Sequence, residues 1–328
     1  MKLSQIISKG ISLVTQHRKL IGIVYLINVA IVFLFSVPMF IILNDHVSLR
    51  TIRDQLSVQF DYSWWTAFDF EATGLAETLR PSLSGGFGPL FDNLELLLSG
   101  EFSTFGWTLF SLALLYIFVA AFFNGGAIAL FGDERKSFSM SRFFSNAAKY
   151  FHHMAALAAT AILVFVLFYK LLVPLAFSIV DSLTQGTISQ PSVWFAHLFT
   201  YLVLVFFIFV LTLILDYAKV IVILENKESS WLCLWLSLKF IFKNNLKIFG
   251  LNFLLIAISI ALVLIGGALI SLVQSTRILL LLLAISFQQL FILLKIAMRY
   301  VFYASETVFY QDVIRATAPV KKRMRRKG

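Results

Sequence analysis

The chain is 328 residues long, 59% hydrophobic and only 13% charged, against roughly 45–50% apolar and 25% charged in an ordinary soluble domain. That surplus, with 35 Phe, excludes a soluble enzyme, a disordered chain, a collagen and a disulfide scaffold, and assigns the chain to the membrane class. The net charge of +10 gains meaning only once the basic residues are placed, and the single Cys233 forms no internal disulfide.

The first pattern in chain order is Leu3, Ile6, Ile7, Gly10, Leu13 and Val14 on one helical face, with Gln5, Ser8, Lys9, Ser12 and Gln16 on the other. This is an amphipathic helix, and it ends in the knot Gln16-His17-Arg18-Lys19. A first membrane span follows at residues 20–43. It is too long for the apolar region of a signal peptide, and Pro38-Met39-Phe40-Ile41 stands where a small-residue cleavage site would be. Five further stretches have the roughly 20 apolar residues that a crossing needs: 107–131, 154–178, 193–217, 248–273 and 278–303.

Between the first two spans lies an outer loop, residues 44–106, with an aromatic patch of Phe60, Tyr62, Trp64, Trp65, Phe68 and Phe70. Such rings suit the headgroup region, so the loop is expected to rest on the outer leaflet, cap the bundle or dock a protein partner. A glycine-rich break at 82–88 and a short interfacial helix at 91–98 follow.

Amphipathic patterns return before the third span, where Phe138, Phe144, Ala147, Ala148 and Phe151 oppose Ser139, Arg142, Asn146 and Lys149. Before the fifth span, Trp231, Trp235, Leu238 and Phe242 oppose Ser237, Lys239 and Lys243. Superposing Ser4, Ser137 and Ser230 aligns the three starts. The expected fold is therefore all-α, with six membrane helices in three pseudo-repeats, each an interfacial helix followed by a transmembrane hairpin. The units run over 1–131, 132–224 and 225–308, and a basic tail covers 309–328. Repeats of this kind place cavities at unit interfaces.

With the N-terminus inside, 22 of the 27 basic residues fall on one side, while nine acidic residues fall in the outer loop. The positive-inside bias then puts both termini in the cytoplasm.

The order of interfacial helix, span, outer loop and span, with Leu215-Asp216-Tyr217-Ala218-Lys219 and Phe242-Lys243-Asn244-Asn245-Leu246, resembles a group of bacterial six-span proteins. Those are similar to the membrane domain fused to some glycerophosphoryl diester phosphodiesterases. The resemblance covers the whole chain, without the phosphodiesterase catalytic domain. It implies a bacterial inner-membrane protein and implies no activity.

Ionisable groups inside spans are costly and are default functional candidates. Lys170, in the outer part of the third span, either snorkels to the headgroups or serves a cavity. Asp216 and Arg299 sit at related depths in the fourth and sixth spans, which suggests an ion pair that clasps the units or lines a cavity. Asn124-Gly125-Gly126, with Ala121, gives a close-packing motif, as does Gly266-Gly267. Pro38 and Pro174 would kink the outer ends of the first and third spans, and Gly267 takes the place of Pro174 in the third unit.

The histidines lack ligand spacing, and no nucleotide fingerprint or hydrolase motif occurs, so neither metal, cofactor nor catalysis is expected. Acidic residues of the outer loop read as a solvated face. The tail residues Lys321, Lys322, Arg323, Arg325, Arg326 and Lys327 are expected to hold anionic lipid at the cytoplasmic face, at about 1 kcal/mol each, in preference to nucleic acid. Oligomerisation is left open. The expected role is a non-enzymatic scaffold or accessory subunit organising lipid or partner proteins. The alternatives are a transporter or channel for a lipid-like solute, and then a lipid-headgroup enzyme.

Overall fold

A computed structural model describes residues 1–46, 61–73, 75–76, 107–133, 138–187, 189–272 and 278–317, and among these residues there is no strand. The helices in chain order are α1 Leu3–Gln16, α2 Arg18–His46, α3 Tyr62–Glu71, α4 Trp107–Gly132, α5 Met140–Leu167, a π-helical turn Phe168–Leu172, α6 Val173–Thr184, α7 Gln190–Glu225, α8 Ser230–Lys243, α9 Asn245–Leu272 and α10 Ile278–Thr317. Six helical segments are long and apolar enough to cross a membrane: α2, α4, α5 with α6, α7, α9 and α10. The protein is thus an all-helical integral membrane protein by length and composition. The 82–88 break, the 91–98 helix, Ser137 and the basic tail lie outside the described residues.

Local chemistry sets the helix starts. Asp61 caps α3 by accepting from the backbone N–H of Ser63 at 2.9 Å, and Ser139 and Ser229 cap α5 and α8 through the N–H of Arg142 and Leu232, satisfying donors that a helix end leaves open. α1, α5 and α8 start at Leu3, Met140 and Ser230. At the end of α7, Asn226 takes a left-handed conformation, φ 50°, and Lys227 N–H closes on Val222 O, a stop that Asn tolerates well.

The three segments that precede the odd-numbered spans behave differently. α1 breaks at His17 and α8 breaks at Asn244 before their spans begin. The middle one does not break at Lys149-Tyr150-Phe151-His152. α5 continues through the π-helical turn into α6 as a 45-residue segment, about 67 Å at helical rise, against a hydrocarbon layer of about 30 Å. Pro174, just past the π-helical turn, has no N–H to give, and that turn absorbs the mismatch. Pro38 lies inside an uninterrupted α2.

The chain divides into two compact units. One comprises Met1–His17, Val119–Leu254 and Tyr300–Gly328, and its core is built on small residues. A Cβ added at Gly126 would stand 2.9 Å from Phe143 O and 2.7 Å from its ring, and one at Gly125 3.2 Å from Met154 Cγ, so α4 and α5 meet backbone to side chain. Half of the apolar window of α4 is buried, against 6% for α2. α8 packs on α7 through Cys233, Ser237 and Ile241, and Ser237 Oγ donates to Ile214 O at 2.7 Å.

The other unit comprises Arg18–Phe118 and Leu255–Arg299. In it Tyr25 Oη donates to Gln289 at 2.8 Å, and Gly266 lies against the Phe291 ring. Phe68 is buried, stacked on Trp64 and edge-on to His46. Tyr62 and Phe70 of the same aromatic patch stay exposed.

Candidate functional site

The inner end of α10 carries the polar triplet Ser305-Glu306-Thr307 between Val301-Phe302-Tyr303-Ala304 and Val308-Phe309-Tyr310. Nine residues of that ten-residue stretch are buried because other helices approach it from several sides. α1 meets it at Gly10, where an added Cβ would stand 3.1 Å from Ser305 N and collide with Ser305 Oγ. α4 meets it through the Phe131 and Tyr300 rings and through Gln311 Nε2, which donates to Gly132 O at 3.0 Å. α8 contributes Phe240, packed on Phe309 and Tyr310. α7 accepts from Tyr310 Oη on Glu225 at 2.6 Å.

Glu306 is 1% exposed, and neither carboxylate oxygen has a hydrogen-bond partner. Unpartnered buried polar atoms are rare, and each one calls for an explanation. The Tyr217 hydroxyl and Ser305 Oγ share that condition, whereas Thr307 satisfies itself by donating to Tyr303 O at 2.6 Å. Beside Tyr217 on α7, Lys219 Nζ donates to Asp216 Oδ1 at 2.6 Å and lies 5.5 Å from the centre of the Tyr303 ring. The charges of Asp216 and Lys219 act on Glu306, and Glu306 in turn acts on Tyr217. Lys219 with Tyr303 and then Glu225 with Tyr310 advance together along α7 and α10, so the two helices run parallel here. Glu306 and Tyr217 are buried here, and the half-buried Asp216 and Lys219 add a carboxyl and an ammonium group whose charges reach Glu306.

A second buried polar residue sits at the α1–α2 break. His17 is 1% exposed with both ring nitrogens unpartnered, between the rings of Phe131 and Phe138. Burial lowers its pKa, the Arg142 charge lowers it further, and Asp133 partly opposes them. Arg142 and Asp133 are themselves paired at 3.2 Å.

Of the residues singled out from sequence, Asp216 enters this site, with Lys219 as the partner shown. Arg299 belongs to the other unit, where its guanidinium donates to Tyr116 Oη at 3.3 Å. Lys170 is exposed within the π-helical turn, Asn124 is buried on α4, and Gly267 is buried beside Gly266. Sequence reading missed Glu306, Ser305 and His17. It closed the sixth span at Tyr303, although a Ser-Glu-Thr triplet with apolar neighbours on both sides was the available signal.

Comparison with protein-family models, curated proteins and solved structures finds no match.

Proposed function

We propose that this integral membrane protein is a non-enzymatic scaffold or accessory subunit that organises lipid or partner proteins, in a bacterial inner membrane with both termini cytoplasmic. The observation that carries the reading is α8. It packs one face inward through Cys233, Ser237 and Ile241, and turns Trp231, Trp235 and Phe242 outward, all more than half exposed. Lys239 lies over the Trp235 ring at 5.0 Å, and Lys239, Lys243 and Lys247 are exposed. Aromatic rings beside lysines are what an anionic headgroup layer accepts. The bacterial inner membrane is what the resemblance to phosphodiesterase membrane domains implies.

The test is extraction of the protein with its native lipid and identification of what accompanies it. Enrichment of anionic lipid or a stoichiometric protein, reduced in a folded Trp231→Ala, Trp235→Ala, Phe242→Ala variant, is the expected result. Bulk lipid composition for both proteins, with no companion, overturns it. A second reading, transport of a small amphipathic solute, is favoured by the buried Glu306 cluster, and solute uptake into sealed vesicles checks it.

A further inference from the structure

We propose that the buried Glu306 and Tyr217, with the half-buried pair Asp216 and Lys219, form a site that takes up one positive charge, a proton or a small alkali cation. The inference stands apart from the scaffold reading.

The argument begins with charge. Two carboxylates and one ammonium leave the ionised cluster at a net charge of −1. Lys219 is already engaged with Asp216 at 2.6 Å, and its single charge balances one carboxylate. Glu306 is then the group without compensation, and its two oxygens accept no hydrogen bond. An ionised carboxylate held that way away from water is strongly disfavoured, and it persists only when paired, hydrogen-bonded or neutralised.

Among the described residues, Lys219 is the cation whose charge acts on Glu306. α7 presents Asp216, Tyr217 and Lys219; α10 itself presents Tyr303 and Tyr310. α8 presents Phe240, while its Cys233 thiol feels Glu225 and Lys227. α1 meets this part of α10 at Gly10 and α4 meets it at Phe131. Glu225 is occupied separately, by Tyr310 and by Lys227 at 3.8 Å. The unpartnered Tyr217 hydroxyl supplies a neutral oxygen for a cation, or a donor for a carboxyl that holds a proton. Both ligands bring the same single positive charge.

The experiment uses the full chain in lipid nanodiscs, at constant ionic strength, in choline, sodium or potassium salts. Infrared difference spectra are taken between wild type and Glu306→Gln. If the ligand is a proton, wild type shows a carboxylic-acid carbonyl band that the variant lacks. If it is an alkali cation, sodium or potassium raises the wild-type unfolding midpoint by several degrees over choline, as a ligand of the folded state must, and the variant does not respond. An ionised Glu306 with no alkali response overturns the proposal, as does a band or a response that survives in Glu306→Gln.

Should Glu306→Gln not fold, the neighbours decide. Asp216→Asn leaves Lys219 to balance Glu306, so the acid band or the alkali response disappears. Lys219→Met leaves two carboxylates, so a second positive charge is taken up. An unchanged band or response in both variants overturns the assignment.

Discussion

At His17 an imidazole without hydrogen bonds is held neutral between two phenylalanine rings. Because burial lowers its folded-state pKa below 6.5, the unfolded chain binds the proton more readily, so stability is full above pH 6.5. It falls as the pH drops below 6.5 and levels off only below the folded-state pKa, by about 1.4 kcal/mol for each unit of lowering. His17→Leu removes the titrating group and two unpartnered atoms, so its unfolding midpoint should equal or exceed wild type at pH 7.5 and fall less on acidification. Thermal unfolding in detergent across that range checks this; an unchanged acid limb would rule out His17 as its source. Glycines divide just as sharply by their neighbours. Gly126→Ala sets a methyl against the Phe143 carbonyl and ring and should cost about 1–3 kcal/mol. Gly22→Ala, with nothing within 4 Å, should gain up to about 1 kcal/mol from helix propensity. The pair is read by unfolding midpoint, and equal shifts would mean that the packing does not decide.

At the scale of an element, α1 and α8 show what periodicity conveys in a membrane protein and what it does not. In α1 the apolar face Ile6, Ile7, Gly10 and Val14 is the buried face, as the spacing predicts. In α8 the relation inverts, and the small and polar Cys233 and Ser237 face the protein while the tryptophans face outward. Lipid accepts Trp and Phe as readily as a core does, so hydrophobicity finds the helices without finding their packed side. The six crossings were legible in sequence for that reason. The unbroken α5 was not, because Lys149 and His152 look like a stop in sequence but are exposed positions on a continuous helix. Asp216 was legible as a charge inside a span; its bond to Lys219, three positions along the same helix, was not among the expectations. A direct check compares the two faces of α8. Ser237→Leu overfills a fully buried position and removes the bond to Ile214 O, and should lower stability by about 1–3 kcal/mol. Trp235→Ala in detergent should change it by less than about 0.5 kcal/mol. The reverse order would place the packed face where the aromatic residues are.

For the whole molecule, the proposed orientation rests on charge. The basic residues gather beside α1, around the α7–α8 turn and on α8, whereas the 44–106 loop and the α6–α7 turn hold few. The orientation is open to a direct test because the native thiol is silent. Cys233 is fully buried, and burial raises its pKa, with the Glu225 charge adding and Lys227 opposing. It therefore presents neither surface nor thiolate to a maleimide at neutral pH. Single cysteines at the exposed positions Lys9, Asp45, Gln185 and Glu228 report on four ends of the chain path without removing the native one. If both termini are cytoplasmic, a membrane-impermeant maleimide applied to intact cells labels Asp45→Cys and Gln185→Cys at once. Lys9→Cys and Glu228→Cys react only after the membrane is opened. Labelling of all four from outside, or the opposite pairing, removes the orientation and with it the proposed contact of α8 and the basic tail with the inner leaflet. Labelling of Lys9→Cys alone with the outer pair would leave α8 inside and require an odd number of crossings between residues 9 and 228, which the four spans expected between those positions do not permit.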